Sequence, residues 1–264
     1  MNKKINYFRT AIILCGGKGT RLGALGKNTP KTLLKIQGKP MLWYIIKILK
    51  YNNFNHIILP LGYKGNLIKE FIKKHSNFRI KVDCIPTGID TNIGKRISLV
   101  KKKILSENFL LLNGDAIFDF DLNKFFNSHL KKKIDHSFVS NEYVYPYGTI
   151  GVSNNKKIVD FQRDISYDAI KIRGHKTYTA YNYSGISIIK KKLLLKFDKI
   201  FKNSKNFEKS FYPKLIKRNK LQLFKAKGFW HSVDNLKDFN LANSKKSINR
   251  FIKIRKIQNF LKKI

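Results

Sequence analysis

Three glycines, an arginine and a lysine near the start of the chain are the first residues whose types and spacing can do chemistry. In Ala11–Pro40, AIILCGGKGTRLGALGKNTPKTLLKIQGKP, an apolar run leads into Gly16, Gly17 and Gly19, and Arg21 and Lys31 follow. Glycines bare the backbone, so successive N–H groups can face an anion at van der Waals distance. Arg21 adds a charge that no accessible pH removes, and Lys31 a compact one on a flexible stem. A triphosphate at the C-terminal end of the first strand of an α/β sheet would meet all of these groups. The plainer alternative is an ordinary strand-to-helix turn with surface cations. It leaves three glycines behind a hydrophobic strand without a reason.

Two better-known phosphate motifs do not fit. G-x-G-x-x-G would start at Gly17 and needs glycine where Leu22 stands, and the P-loop needs a hydroxyl residue where Gly19 follows Lys18. Asn113-Gly114-Asp115, at the end of an apolar run, is a second group of chemical interest. A carboxylate at the end of a buried strand suits Mg²⁺, which takes one or two carboxylates plus phosphate oxygens and water. Asp119–Asn123 is no calcium loop, because Lys124 and Leu130 stand where that loop needs glycine and glutamate. Asp121 reads instead as the cap of a helix over Leu122–Lys131.

The elements that must position these groups follow from apolar periodicity. Strands are expected at Ala11–Cys15, His56–Gly62, Ile80–Ile85 and Phe109–Asn113, with helices at Met41–Tyr51 and Lys64–Lys74. This βαβαβ alternation predicts a parallel, doubly wound sheet. The polar segment Pro86–Arg96, PTGIDTNIGKR, follows the third strand and so lies at the same sheet edge as the glycine turn. Short strands then follow at Ser137–Ser140, Thr149–Ser153, Lys157–Phe161, Tyr183–Ile189 and Leu221–Ala226, with Asn154-Asn155 as a hairpin turn. Local sequence favours Asp234 as the N-cap of a helix over Leu236–Ser247. The tail Ile248–Ile264 is a basic amphipathic helix with Ile257, Phe260, Leu261 and Ile264 on one face. Such a helix can lie on a membrane, but more often packs on its own domain or on a second subunit, which is the preferred reading and leaves room for a homo-oligomer.

Taken together and in order, five motifs carry a family resemblance: GG-x-GTRL, T-P-K, the T-G-x-x-T-x-x-G-x-R of Thr87–Arg96, N-G-D, and the G-F-W-x-x-x-D of Gly228–Asp234. They resemble the sugar-1-phosphate nucleotidyltransferases, most of all the glucose-1-phosphate cytidylyltransferases. The resemblance runs from about Ala11 to Asn243. It implies an α/β, Rossmann-like doubly wound mixed sheet of the nucleotide-diphospho-sugar transferase type. A domain over residues 1–243 would bind nucleotide up to about 135 and acceptor from about 136, with 244–264 as a C-terminal helical tail.

The nucleotide contacts implied by the resemblance are Leu14, Gly16, Gly17, Gly19, Thr20, Arg21, Lys31, Thr87, Gly88, Thr91, Gly94, Arg96 and Asn113. Asp115 and Asp234 would hold Mg²⁺, and Lys31, Arg21 and Asp115 would be catalytic. The implied reaction moves CMP from CTP to glucose 1-phosphate and releases pyrophosphate, a step toward nucleotide sugars for surface polysaccharide. The acceptor motifs depart from the family. F-Q-E-K reads Phe161-Gln162-Arg163-Asp164, and N-[GA]-G reads Tyr183-Ser184-Gly185. Arg163, Tyr183, Ser184 and Gly185 are the acceptor candidates, and another NTP, heptose 1-phosphate or a phosphorylated amine stays open.

The 264 residues, 42% apolar and 27% charged, suit a globular protein rather than a disordered one. Lys47 interrupts the longest apolar stretch, so no membrane span is expected. Arg9 breaks the only signal-like run, and a cytoplasmic location with Cys15 and Cys84 reduced is expected. The net charge of +39 would draw nucleotides and polyanions. Its lysines are spread rather than gathered, and Lys, Asn, Ile, Phe and Tyr are all abundant, as A/T-rich codons would produce. No specific nucleic-acid partner is therefore expected, and a polyanion-binding or regulatory protein on the same fold is the non-enzymatic alternative. The six histidines form no zinc spacing, and no G-x-S-x-G elbow occurs.

Overall fold

Successive residues of the first strand face opposite ways, and each finds its own apolar layer. Ala11 and Ile13 pack in one, with Leu110 and Ile188, while Ile12 packs in the other, with Leu111 and Ile189. A strand buried on both faces needs helices on both sides of its sheet, and the sequence supplies them. The computed structural model describes residues 8–75, 78–144, 148–163, 166–167, 169–172, 178–217 and 220–264.

The first half of the chain runs β1 (Thr10–Leu14), a short α1 (Ala24–Asn28), the β2 (Lys35–Ile36) and β3 (Lys39–Pro40) hairpin, and α2 (Met41–Tyr51). It continues with β4 (His56–Leu61), α3 (Gly65–Lys74), β5 (Lys81–Pro86), α4 (Ile93–Val100), β6 (Asn108–Asn113), β7 (Ala116–Phe118) and α5 (Leu122–Lys131). Next come β8 (His136–Ser140), β9 (Tyr143–Val144), β10 (Gly148–Val152), β11 (Ile158–Arg163), β12 (Ser166–Tyr167), β13 (Ala169–Ile172), β14 (Tyr178–Tyr181) and β15 (Tyr183–Lys190). The last stretch holds α6 (Lys191–Lys196), α7 (Asp198–Asn203), α8 (Phe207–Ile216), β16 (Leu221–Lys225), β17 (Trp230–Ser232), α9 (Leu236–Asn243) and α10 (Ile248–Lys262).

Among the described residues the main sheet has seven strands, in the order β16-β8-β15-β6-β1-β4-β5. β1 runs parallel to β4 and β6, and β4 to β5, as the alternation predicts. β15 enters antiparallel between β6 and β8 and makes the sheet mixed. The parallel strands send their C-terminal turns, after Leu14, Leu61, Pro86 and Asn113, to one sheet edge, where α/β proteins bind ligands. β9 to β14 form separate two-stranded ribbons. The β10–β11 turn contains Asn154 and Asn155 as expected, but its left-handed residue is Lys156, at φ 61°.

Two expectations at the C-terminus change. α9 ends at Asn243, so the expected helix over Leu236–Ser247 is shorter, and Ser247 instead precedes α10. The buried stripe of α10 is Ile254, Ile257, Gln258 and Leu261, leaving Phe260 and Ile264 on its flank. The helix does dock on its own domain. Gln258 Nε2 donates to Tyr44 Oη at 2.7 Å and to Gln37 O at 2.8 Å. No helix of the described residues is long and apolar enough to cross a membrane.

Candidate active site

The glycine turn after β1, the Pro86–Asn92 segment and the end of β6 enclose a cleft of about 600 Å³. Gly16, Gly17, Gly19, Arg21 and Lys31 all line it, together with Leu14, Thr91, Asn113, Asp115 and Asp234. A backbone tie brings the last two aspartates together. β17 pairs antiparallel with β7, and Val233 N donates to Asp115 O at 2.9 Å. Lys31, in the tight turn Lys31–Leu33, then reaches both carboxylates. Its Nζ donates to Asp115 Oδ2 at 2.6 Å and to Asp234 Oδ1 at 2.9 Å.

Asp234 is not the helix cap. Asn235 caps α9, accepting from Asp238 N at 3.0 Å, and Asp238 answers by accepting from Asn235 N. An amide one residue downstream takes the cap, which leaves the Asp234 carboxylate free to turn inward. Burial pushes that carboxyl up, but the Lys31 ammonium, the Ser232 hydroxyl and the Arg21 charge outweigh it and hold it below the ordinary carboxylate range.

Arg96, expected on the nucleotide, borders the cleft but has its guanidinium committed to protein. It is only 4% exposed, and it donates to Gly16 O at 3.1 Å, Gly88 O at 2.7 Å, Ile89 O at 2.9 Å and the Thr87 hydroxyl at 2.7 Å. It thereby ties the glycine turn to the segment after β5. A Cβ on Gly16 would stand 2.5 Å from Arg96 Cζ, so glycine is required there by close approach rather than by the anion alone. Thr87 is buried with its hydroxyl donated to Leu61 O, and Gly94 packs against Phe201 and Phe207. Thr20, Thr87, Gly88 and Gly94 are absent from the cleft's lining among the described residues.

Of the acceptor candidates, Gly185 abuts Asn113: at φ 74° it is left-handed, and a Cβ there would sit 2.5 Å from Asn113 Nδ2. The Ser184 hydroxyl is buried and donates to Val139 O at 3.0 Å, while its carbonyl accepts from Trp230 Nε1 at 3.2 Å. Tyr183 Oη lies 3.3 Å from Tyr212 Oη, and burial raises its pKa to about 12. The Arg163 side chain and Asp164 lie outside the described residues.

Sequence reasoning missed Lys205, Asn206 and Glu208, which line the cleft where α8 begins. Asn206 was legible as a cap, and it accepts from Lys209 N. Lys205 is hidden by the basic background, but Glu208 is one of only 16 acids, and in so basic a chain the acids are the informative residues. Burial raises its pKa. Cys15 is a buried free thiol pushed up by burial, and it donates to Pro60 O, the behaviour of a small core residue rather than a nucleophile.

Two carboxylates and an immobile cationic turn at the C-terminal edge of a parallel sheet can hold a nucleoside triphosphate and its metal. The sequence profile of the nucleotidyl transferase family matches residues 10–247. The chain belongs to that family. This nucleotidyltransferase is 32% identical, over 88% of its length and 94% of the relative's, to the probable glucose-1-phosphate cytidylyltransferase of Bacillus subtilis. It is 33% identical to the D-glycero-alpha-D-manno-heptose 1-phosphate guanylyltransferase of Campylobacter jejuni, over 59% of this chain and 68% of that one. The crystal structure of HddC from Yersinia pseudotuberculosis superposes with a TM-score of 0.66 at 26% identity, covering 90% of this chain and 99% of that one. The nucleotidyltransferase is thus an enzyme of the sugar-1-phosphate class, which displaces the polyanion-binding alternative.

Proposed function

We propose that this nucleotidyltransferase moves CMP from CTP to glucose 1-phosphate with release of pyrophosphate. The observation that carries the chemistry is the convergence of Lys31, Asp115 and Asp234 on one point of the cleft. The resemblance of the Thr87–Arg96 segment and the similarity to the Bacillus subtilis relative support the choice of substrates. In-line attack by the acceptor's phosphate oxygen on the α-phosphorus needs no protein nucleophile, so position and positive charge are what the chain must supply. The glycine-turn amides and Arg21 would hold the leaving pyrophosphate, and Lys31 would meet the α-phosphate. Gly185, Tyr183, Ser184, Arg163 and the cleft-lining Glu208 would shape the acceptor side.

The donor set fits a magnesium ion. Two aspartate oxygens already share one cationic partner, and among the described residues no third His, Cys, Asp or Glu crowds them. Magnesium readily takes such a pair and fills its shell with phosphate oxygens and water. Bound by Asp115 and Asp234, it would neutralise the α-phosphate and align the attack.

A second reading, GTP with heptose 1-phosphate, is favoured by the Campylobacter jejuni relative. Pyrophosphate release measured for four NTPs against a panel of phosphorylated acceptors tests both. Release with CTP and glucose 1-phosphate above all other pairs is expected, and a preference for GTP with heptose 1-phosphate would replace the first reading by the second.

A further inference from the structure

The Lys31 ammonium lies between the two carboxylates that would hold a metal ion. It is 2.6 Å from one carboxylate and 2.9 Å from the other, distances at which a hydrogen-bonded ion pair is fully formed. The Lys31 side chain is 16% exposed and the Asp115 side chain 25%, so solvent screens this contact less than it would at the open surface. Lysine is a compact charge on a flexible four-carbon stem, and it can leave the pair when a better anion arrives.

We infer that Lys31 is a tethered placeholder cation, which suppresses metal binding by the nucleotide-free enzyme and gives way when a triphosphate offers it a new partner. The inference rests on the two-carboxylate metal reading given above. Without nucleotide, a divalent ion must displace an ammonium that has nowhere equally favourable to go. With nucleotide, Lys31 moves to phosphate and both carboxylates are released at once. Metal and nucleotide therefore enter together, and the free enzyme does not accumulate a metal ion in an unproductive site. The neighbouring charges favour the same order. Arg21 lines the cleft and acts on Asp234, so an uncompensated cation is unwelcome until phosphate is present.

Mn²⁺ binding to the full chain, followed by electron paramagnetic resonance without any turnover, tests this. Lys31→Gln should bind Mn²⁺ at least about tenfold more tightly than the wild type when nucleotide is absent. Lys31→Arg, which keeps the charge, should stay near the wild type. Equal affinity of wild type and Lys31→Gln would overturn the placeholder while leaving the metal reading intact, provided CTP still brings Mn²⁺ to the wild type. Failure of Mn²⁺ to bind any of these proteins, with or without CTP, would overturn the metal reading as well. A measurement on the wild type alone covers the case of a misfolded variant. Amine-selective labelling of Lys31, read by peptide mass spectrometry, should accelerate several-fold when saturating Mn²⁺ is added. An unchanged rate would overturn the inference.

Discussion

The two halves of the chain are built differently. In the half proposed to bind nucleotide, the glycine turn, the Thr87–Asn92 segment and the Asn113–Asp115 turn spring from parallel strands of one sheet, and Arg96 ties the first two together. In the half proposed to bind the acceptor, β9 to β14 form two-stranded ribbons outside the main sheet. There Ile150, Ile158, Val159 and Phe161 are each more than half exposed. The proposed phosphate chemistry would be held by the sheet, where moving one turn means moving a strand. The proposed choice of acceptor would be left to ribbons that can change without disturbing that sheet.

The difference predicts a gradient of effects. Asp115→Ala and Lys31→Ala should each lower turnover by factors on the order of hundreds or more, measured as pyrophosphate release by folded protein. Near-normal turnover in both would break the comparison at its base. Arg96→Lys keeps the charge but loses the planar fork, so the KM for nucleotide should rise by a factor of order ten to a hundred. The KM for acceptor should stay within about threefold, and an equal rise in both would mean that Arg96 supports the whole cleft rather than one side. Arg163→Ala should do the reverse, raising the acceptor KM by roughly tenfold and leaving that of the nucleotide alone.

The smallest effect concerns β8 and the helix α5 that packs beside it. His129 and His136 are buried, and burial lowers their pKa values to about 4 and about 3. An unfolded histidine titrates near about 6.5. Between those values the unfolded chain takes up protons that the folded one refuses, so stability is complete above about 6.5 and falls as pH drops toward 4. Among the described residues His136 has no hydrogen-bond partner on either ring nitrogen. His136→Phe should therefore flatten the acid side of a melting-temperature profile by a few degrees and leave the neutral value unchanged or higher. Unaltered acid sensitivity would place the titrating group elsewhere.

Much of the nucleotide side was legible because its signals are local. Gly16 to Gly19 and Arg21 lie within one turn, and α2 and α5 begin and end where periodicity and the Asp121 cap place them. The cap expected at Asp234 falls on Asn235 because a cap and a metal ligand look alike in sequence, and only the tertiary pairing of β17 with β7 separates the two residues. The bracing role of Arg96 is not legible, because a buried arginine satisfied by carbonyls leaves no mark on its neighbours. Glu208 and Lys205 come to the cleft through the packing of α7 on α4 and of α8 on α7, contacts that include one across a hundred residues that no periodicity encodes. The stripe of α10 was placed one turn too late because Gln258, a polar residue, belongs to the buried face.

Gln258 also gives the molecule an order of birth. Its amide holds Gln37 O, and Asn243 Oδ1 receives Gln37 N at 2.8 Å, so the last helices fasten the hairpin that follows Lys31. During synthesis the chain emerges from its N-terminus, and the phosphate cradle is exposed long before α10 leaves the ribosome. Until α9 and α10 dock, the lysine's support lacks both of these ties. The hairpin behind Lys31 is thus fastened by a residue 221 positions further along the chain.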